Sequence, residues 1–432
     1  MSELWTEIPL LPLAPPLAQD LVTEVLVIGG GMAGVLCAHA LQEKGIDCVL
    51  VEANRLGCGI TKGTTAVLTA QHDTLYTDLI AQHGDEKARQ YLHANLQAVQ
   101  KFRTLSQKHP CDFEDMPSIA YSLHDEQKMR SEAAAVQALG FQAEFTTELP
   151  LPFAVAGAVR YPDMAQFHPL KFLYSIAARL KYYENTRVLK INDITAFTDK
   201  HKIIAQKIIV ATHFPFINRY GLYPLKLYQM RSSVIAYQNA PQLRGTYVDI
   251  GAAGFYFRNY QNLLLIGGGD HRTGEGGDGF AAIRQFAAHY FPSATQQKAW
   301  VTQDCMSLDG APCIGKYSLF TPNIYVATGF NEWGMTSSMV AATLLCDAIL
   351  EKENAFAPVF SPQRSLLRKQ LFVNAKTTLV DFISPTTKRC SHLGCALKWN
   401  SAEHSWDCPC HGSRFDADGH LLDNPATKNS RV

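Results

Sequence analysis

The stretch Glu24-Val-Leu-Val-Ile28-Gly29-Gly-Gly31-Met-Ala-Gly34 decides the first fold prediction. Its first five residues have the composition of a buried strand, and the spaced glycines follow at once. Residues 35–44 predict a helix that ends at Gly45, and Asp47-Cys-Val-Leu-Val51 predicts a second strand. Strand, glycine turn, helix and strand in this order predict the βαβ unit of a dinucleotide-binding domain.

Each spaced glycine has a physical role in such a unit. Gly29 permits a tight turn, Gly31 lets the backbone approach a pyrophosphate, and Gly34 lets the helix pack closely on the strand. The N-terminus of the helix stabilises the negative phosphates. Glu52 lies 18 residues after Gly34, and we expect its carboxylate to accept a hydrogen bond from a ribose hydroxyl.

Further segments resemble, in order, the D-amino-acid oxidase family (glycine and sarcosine oxidase-like) of FAD-dependent oxidoreductases. The resemblance covers about residues 24–365. His213 is a departure, because it stands where the family has the glycine of an Ala-Thr-Gly turn. The matching segments are Arg55-Leu-Gly-Cys-Gly-Ile-Thr61-Lys-Gly-Thr64-Thr65, Gln166-Phe-His-Pro169, residues 184–188, residues 207–212, Asp309-Gly-Ala-Pro-Cys-Ile-Gly315, Ala327-Thr-Gly329-Phe330 and Gly334-Met335-Thr336.

This resemblance implies an α/β (α+β) fold, in which a Rossmann-like FAD-binding domain is interleaved with a β-rich substrate domain. It also implies that the last helix of the domain points its N-terminus at the flavin, where it would stabilise negative charge. The residues that the resemblance places against FAD are Gly29, Gly31, Gly34, Glu52, Thr61, Thr64, Thr65, Val188, Ala211, Thr212, Gly329, Gly334, Met335 and Thr336.

A cluster of cysteines and histidines near the C-terminus predicts a metal centre. Cys390-Ser-His392 is followed, after 15 residues, by Cys408-Pro-Cys410-His411. Two cysteines and two histidines suit a Rieske [2Fe–2S] cluster, in which thiolates hold one iron and imidazoles the other. Structural zinc accepts the same residue types, but zinc sites more often pair cysteine with cysteine and histidine with histidine. The mixed pairs therefore favour the Rieske cluster.

The two loops also resemble the cluster loops of Rieske proteins of the cytochrome bc type. The resemblance implies that Cys390 and Cys408 bind one iron and that His392 and His411 bind the other. It further implies a disulfide between Cys395 and Cys410, with two free thiols as the alternative in a reducing compartment. Ser413 stands where the family has a serine that donates to a cluster sulfur, and Phe415 stands where the respiratory proteins have a tyrosine.

The chain divides into three predicted parts: an extended, proline-rich arm at 1–23, the flavin domain at 24–365, with residues 351–370 as a linker, and a short all-β Rieske domain at 366–432. Only residues 370–383 are available to supply strands before the first cluster loop. We therefore expect the cluster loops to lean on the flavin domain.

Length and charge narrow the class of protein. The 432 residues suffice for two to four domains at about 100–200 residues each. Lys plus Arg and Asp plus Glu both number 39, so no basic excess favours nucleic-acid binding. The first basic residue is Lys44, which argues against a secretory signal, and no stretch predicts a transmembrane segment. We expect a cytoplasmic protein.

The two predicted cofactors together indicate a redox enzyme that acts on a small organic substrate, and the resemblance to the oxidase family implies that this substrate is an amine or amino acid. Electrons would pass from FAD through the [2Fe–2S] cluster to an external acceptor, a protein or a quinone, and the reverse direction is equally allowed. A redox sensor or electron-transfer module without its own substrate is the alternative. A Rieske oxygenase is disfavoured, because it needs a further iron site, and only 21 residues follow His411.

The catalytic side chains have weaker sequence signals. His72 follows the second FAD motif and is a candidate to approach the flavin, and Arg231 is a candidate to bind a substrate carboxylate. A structural histidine and an ordinary ion pair are their alternatives. The stretch 267–279 holds seven glycines and predicts a loop that either forms a lid or is merely solvated.

Overall fold

The computed structural model describes residues 3–9, 11–251, 254–277 and 279–432. Short 3₁₀ turns lie at Leu4–Thr6 and Ile60–Gly63. The α-helices, in chain order, are α1 (Met32–Gln42), α2 (Leu75–His83), α3 (Asp85–Ser106), α4 (Glu126–Ala138), α5 (Pro169–Ala177), α6 (Tyr223–Lys226), α7 (Ala281–Tyr290), α8 (Gly334–Ile349), α9 (Ala357–Phe360) and α10 (Lys369–Ile383).

The strands form two large sheets and two small ones. In chain order they are β1 (Leu21–Ile28), β2 (Cys48–Val51), β3 (Val67–Leu68), β4 (Glu114–Asp115), β5 (Ser118–Ser122), β6 (Glu144–Thr146), β7 (Gly157–Tyr161), β8 (Ala165–Gln166), β9 (Tyr182–Tyr183), β10 (Lys190–Asn192), β11 (Thr195–Phe197), β12 (Lys202–Val210), β13 (Leu227–Gln238), β14 (Thr246–Asp249), β15 (Tyr256–Tyr260), β16 (Leu263–Arg272), β17 (Thr295–Ser307), β18 (Cys313–Lys316), β19 (Ile324–Thr328), β20 (Lys398–Asn400), β21 (Ser405–Asp407), β22 (Arg414–Phe415) and β23 (Leu421–Asp423).

The first large sheet is the predicted nucleotide-binding sheet. β1 lies at its centre between β2 and β12, and all three strands run parallel. β9 extends the parallel set beyond β2, and β19 extends it beyond β12. Val25, Leu26 and Val27 are fully buried, and they belong to the hydrophobic clusters on the two faces of the sheet, as expected for a parallel strand that is covered on both faces. The predicted βαβ unit is therefore present as β1, α1 and β2.

The turn between β1 and α1 requires glycine at two of the predicted positions. Gly29 has a φ of +111°, and a Cβ there would lie 2.4 Å from the carbonyl oxygen of Ala211. A Cβ on Gly34 would lie 1.8 Å from the carbonyl oxygen of Gly29. Gly34 therefore brings α1 against the end of β1, as the sequence predicts.

The second large sheet has the strand order β17-β13-β16-β15-β14-β5-β7-β6. Its pairs are antiparallel apart from β14 with β5. The strands come from two separate stretches of chain, 118–161 and 227–307. The chain therefore leaves the nucleotide-binding domain twice to form this sheet. This arrangement confirms the predicted α/β fold with an interleaved β-rich domain.

The C-terminal part has a sheet of four short antiparallel strands, β20 to β23. Residues 370–383, the candidates for additional strands, instead lie in the helix α10. The helix buries Asn374 and Asp381, and the Asn374 amide donates 3.1 Å to the Leu225 carbonyl oxygen. Several apolar residues of this helix, such as Phe372 and Leu379, are exposed.

Three other segments differ from the sequence predictions. The N-terminal arm is not purely a surface feature, because Trp5 is fully buried and its indole donates 2.6 Å to the Thr64 carbonyl oxygen. The predicted linker contains α9, and two Arg364 nitrogens each donate 2.7 Å to the Asp309 carboxylate. The first glycines of 267–279 belong to the strand β16 and not to a loop. Gly267 packs so closely on the Tyr256 ring that a side chain at this position would collide with it.

The helices in the described part of the chain also bear on whether the chain can span a membrane. Within those residues, none of the helices has both the length and the apolar character needed to cross a bilayer.

Candidate redox active site

A cavity of about 220 Å³ lies at the carboxyl ends of the parallel strands, beside the glycine turn. α1 begins at Met32 and α8 begins at Gly334, so two helix N-termini reach this cavity, and both favour negative charge. The predicted FAD-binding residues that line it are Gly29, Gly31, Glu52, Thr61, Val188, Ala211, Thr212, Gly334 and Met335.

Glu52 is held in place at the end of β2. One of its carboxylate oxygens accepts from the Gly30 amide at 2.7 Å, and the other accepts from the Asn54 amide at 2.8 Å. Burial raises the pKa of this carboxyl group, and the two backbone donors partly offset that rise. Glu52 therefore presents a fixed acceptor to the cavity, as ribose recognition requires.

The remaining predicted FAD-binding residues do not line this cavity. Gly34 packs on Gly29, and Gly329 forms a turn with a φ of +68°. The Thr336 hydroxyl donates 3.1 Å to the Thr69 carbonyl oxygen. Thr64 and Thr65 line a second cavity of about 110 Å³. The second cavity meets the first at four shared residues, Ile60, Asp304, Gly334 and Met335.

The predicted cluster ligands come together on two loops, one after α10 and one between β21 and β22. The thiols of Cys390 and Cys408 are within hydrogen-bonding distance of each other. The rings of His392 and His411 are 5.0 Å apart and perpendicular. Two thiols on one side and two imidazoles on the other match the ligand set of a Rieske cluster.

The imidazole nitrogens show that this site fits a metal cluster. Both ring nitrogens of His411 and Nδ1 of His392 are buried without a hydrogen-bond partner. Nε2 of His392 lies 2.5 Å from Oδ1 of Asn218, which leaves Nδ1 as the free ligand atom. Burial lowers the pKa of His392 to about 4 and that of His411 to about 3. Both imidazoles are therefore neutral, the form that binds metal.

The predicted disulfide is not present in the structure. Cys395 and Cys410 are free thiols, and their sulfur atoms lie within 4.8 Å of each other and of the Cys408 sulfur. Ser413 is where its predicted role requires it, because its hydroxyl is hydrogen-bonded to Cys390 and accepts 3.0 Å from the Ala426 amide. Phe415 is fully buried beside the cysteines.

The cluster loops pack directly on the flavin domain through two glutamines. Nε2 of Gln229 donates 2.7 Å to the His411 carbonyl oxygen, and Nε2 of Gln303 donates 3.0 Å to that of Gly412. Oε1 of Gln229 accepts from Gln303 at 2.7 Å and from Nε2 of His213 at 2.9 Å. Because His213 lines the first cavity, one chain of hydrogen bonds joins that cavity to a cluster ligand.

The Rieske domain also closes the flavin cavity. Residues 421–424, Ala426 and Thr427 form part of its wall. The Asn424 amide donates to the carbonyl oxygens of Thr212 and Phe214, the latter at 2.8 Å. The Phe214 ring lies 6.0 Å from the ring of His411. The two sites therefore share a wall.

The two candidate catalytic residues lie away from the second cavity. His72 is fully enclosed: its ring nitrogens contact the Tyr91 hydroxyl at 2.8 Å and the Thr69 carbonyl oxygen at 3.0 Å. Its ring also stacks on Trp333 at 4.9 Å. Arg231 forms an ion pair with Glu403 of the Rieske domain. Both environments are those of the structural alternatives named above.

Sequence reasoning missed several residues that the fold brings to the site. Asn424 belongs to an Asn-Pro-Ala segment near the C-terminus, but nothing in that segment indicates contact with the flavin domain. Gln229, Gln303 and Asn218 belong to no motif. The same holds for the two acidic residues in the second cavity, Asp304 and Glu332.

Comparisons with known proteins agree with this architecture. Residues 24–348 match the family model of FAD dependent oxidoreductases, and residues 363–432 match the Rieske [2Fe-2S] domain. The chain is 34% identical to the putative Rieske 2Fe-2S iron-sulfur protein YhfW of Bacillus subtilis, over 97% of this chain and 94% of that protein.

Two further similarities each cover one of the two units. The glycine oxidase structure from Geobacillus kaustophilus superimposes with a TM-score of 0.68 at 21% identity, over 80% of this chain and all of that chain, which shows the shared fold. The cytochrome b6-f complex iron-sulfur subunit 1 of Nostoc is 41% identical over 59 residues, which cover 14% of this chain and 32% of that protein. The chain belongs to the FAD-dependent oxidoreductase family and carries a C-terminal Rieske domain, and its cofactors are FAD and a [2Fe–2S] cluster.

Proposed function

We propose that this protein oxidises a small organic amine and delivers the electrons, through the Rieske cluster, to an external one-electron acceptor. The shared wall between the flavin cavity and the cluster loops carries the proposal, because it puts the two redox sites in direct contact. FAD supplies hydride acceptance from carbon, and the cluster supplies transfer of single electrons.

The electron balance of this reaction is simple. A C–H bond next to nitrogen breaks, its electron pair leaves as a hydride, a proton leaves the nitrogen, and a C=N bond forms. Water then hydrolyses that bond to a carbonyl compound and an amine or ammonia. The two electrons leave one at a time, so each substrate reduces two equivalents of a one-electron acceptor.

The residues of the chain itself would bind the substrate and connect the two cofactor sites. The second cavity opens beside Gly334 and Met335 at the N-terminus of α8, where the first cavity also ends. It is lined by hydroxyl, aromatic and carboxylate side chains, which suit a small polar substrate. On the opposite side of the same sheet, Gln229 and Gln303 hold the loop that carries His411. This second cavity favours an enzyme over a redox module without a substrate.

Anaerobic addition of amines to the oxidised protein tests the proposal. Bleaching of the flavin absorbance followed by a Rieske-type EPR signal is the expected result. His392→Gln is the matched variant, in which the amine should still bleach the flavin while the EPR signal is lost. If dithionite reduces both centres but no amine in a broad panel reduces the flavin, the protein is a redox module without an amine substrate.

A further inference from the structure

The second cavity is built by one face of the large antiparallel sheet. Thr302 and Asp304 of β17 point into it, together with Ser232, which pairs with Thr302 in the sheet. Side chains alternate between the two faces of a strand, so Gln303 between them points the other way, to the Rieske loops. The cavity is closed on another side by residues 332–335, which lead into α8.

Two carboxylates face this cavity without a partner. Neither the Asp304 carboxylate nor the Glu332 carboxylate has a hydrogen bond or an ion pair with any residue that the structure describes. Asp270 lies close to both, and its Oδ1 is buried without a partner. Asp73 is also near Glu332, and it accepts 3.4 Å from the indole of Trp333. Unpaired carboxylates are costly in an enclosed site.

Two arginines on strands of this sheet, Arg258 and Arg231, bind other groups. Arg258 lines the cavity, but its guanidinium donates to the carbonyl oxygens of Thr65 and Ala66. Arg231 points to the other face of the sheet and pairs with Glu403. Among the described residues that line the cavity, Arg258 is therefore the one cation, and it has no ion pair with Asp304 or Glu332.

A third group in the cavity also lacks a partner. Thr246 is only 4% exposed, lines the cavity, and its Oγ1 has no hydrogen bond. A buried hydroxyl without a partner is destabilising, because it has given up its hydrogen bonds to water and gained none in return. The cavity thus presents a polar acceptor as well as two carboxylates, which together indicate that a polar, positively charged molecule completes it.

The spacing of the acids excludes a simple metal site. Sets of three ligand atoms within 4.8 Å of one another occur, among the described residues, at Cys395, Cys408 and Cys410 and at Asp416, Asp418 and His420. Asp304, Glu332, Asp270 and Asp73 form no such set. A divalent ion needs several oxygens at about 2–2.6 Å from one centre. A larger organic cation can contact carboxylates that are farther apart.

We propose that the substrate is a diamine or polyamine, with an ammonium group held between Asp304 and Glu332. This proposal rests on the proposed function and narrows its substrate class, because it excludes amino acids that carry a carboxylate next to the nitrogen. Such a carboxylate would add negative charge to a cavity that already contains unpaired carboxylates. Burial and then the neighbouring Asp270 raise the pKa of Asp304 to about 7, because no cation stabilises its anion, and a bound ammonium group would favour the anion.

A matched ligand series tests the charge preference. 1,4-Diaminobutane, 1-aminobutane and 4-aminobutanoate each have four carbons and an amino group at one end. Their far ends are an ammonium group, an uncharged methyl group and a carboxylate. Kd is measured from the flavin spectrum, before reduction, in an anaerobic stopped-flow titration of the protein that holds FAD and the cluster. The diamine should bind tightest, by about 30-fold or more over 4-aminobutanoate, as expected for a buried charge pair.

A matched pair of variants tests whether Asp304 binds the diamine. Asp304→Asn keeps the size of the side chain, and it should weaken binding of the diamine about 10-fold or more while 4-aminobutanoate binds no worse. Glu353→Gln removes an exposed carboxylate far along the chain and should change neither Kd. The flavin content and the Rieske EPR signal of each variant show whether it has folded.

The outcomes separate this proposal from the proposed function. If 4-aminobutanoate or an α-amino acid binds more tightly than the diamine, the cation proposal is wrong, even when that ligand reduces the flavin and the proposed function stands. If the diamine binds tightly and Asp304 matters, but no amine reduces the flavin, the cation site stands and the proposed function fails.

Discussion

Nε2 of Gln229 donates a hydrogen bond of 2.7 Å to the carbonyl oxygen of His411, a predicted cluster ligand. The same side chain accepts from His213, which lines the flavin cavity. A single residue of β13 therefore touches both redox sites. This contact gives a continuous hydrogen-bonded connection between them.

Replacing Gln229 should slow transfer between the two sites. Gln229→Leu removes the link to His213 and leaves the His411 carbonyl oxygen without its donor, at a cost of about 1–3 kcal/mol in stability. Reduction of the cluster after flavin reduction should become slower, as measured by freeze-quench EPR. Gln296→Leu, on the exposed end of β17, is the control and should leave the rate unchanged. An unchanged rate in Gln229→Leu would show that the connection is not used.

Two substitutions should move the potential of the cluster in opposite directions. Ser413→Ala removes a hydroxyl that hydrogen-bonds Cys390, and Phe415→Tyr offers a new hydroxyl beside the cysteines. Hydrogen bonds to sulfur stabilise the reduced cluster. Redox titration should therefore give a lower potential for Ser413→Ala and a higher one for Phe415→Tyr. A tyrosine variant with an unchanged or lower potential would contradict this account.

The ion pair between Arg231 and Glu403 should hold the two domains together. Arg231 is 1% exposed, and removing one partner of a buried pair costs about 3–5 kcal/mol. Arg231→Met should lower the free energy of unfolding by this amount in a urea titration. Arg89→Met breaks an exposed pair with Glu86 and should cost less than about 1 kcal/mol. If Arg231 instead bound a substrate carboxylate, its loss would weaken amino-acid binding with little effect on stability.

Binding of a diamine should depend on pH through Asp304. Burial and then Asp270 raise the pKa of this carboxyl to about 7, so it is mainly neutral below that pH and anionic above it. Only the anion attracts an ammonium group. The Kd of 1,4-diaminobutane should therefore decrease as the pH rises through about 7.

The same titration in Asp304→Asn isolates this residue from its neighbours. Glu332, Asp270 and Asp73 also have raised pKa values, because burial disfavours their anions, and repulsion from neighbouring acids adds to the rise for Glu332 and Asp73. They should leave a weaker pH dependence in the variant. A variant that keeps the full dependence of the wild type would assign the effect to those acids instead.

The sequence predicts those parts of the molecule that local spacing determines. Gly29 and Gly34 are where a tight turn and a close helix contact require glycine, and both can be read from one short motif. Cys390, His392, Cys408 and His411 are recognisable because each pair lies within one loop. These local rules predict the nucleotide-binding unit and the ligand set of the cluster.

Contacts between distant segments could not be predicted in this way. Arg231 is a plausible carboxylate ligand in the sequence, and only the fold brings Glu403, 172 residues later, against it. Residues 370–383 were the stretch available for strands, but they form the helix α10, whose Asn374 and Asp381 contact Leu225 and Lys398 from elsewhere in the chain. The position of Asp304 in a cavity could not be predicted from the neighbouring sequence, because several strands that are distant in the chain form that cavity.

The glutamine and arginine contacts that fasten the cluster loops also determine how an electron can leave the molecule. A cluster held at His411 and Gly412 by side chains of the opposite domain has no freedom to swing toward a partner. Its transfer rate should then be insensitive to solvent viscosity, because no diffusive domain motion intervenes. Under the proposed function, we expect that an external acceptor has to dock beside this fixed cluster, because no motion of a tethered domain would carry the cluster to it.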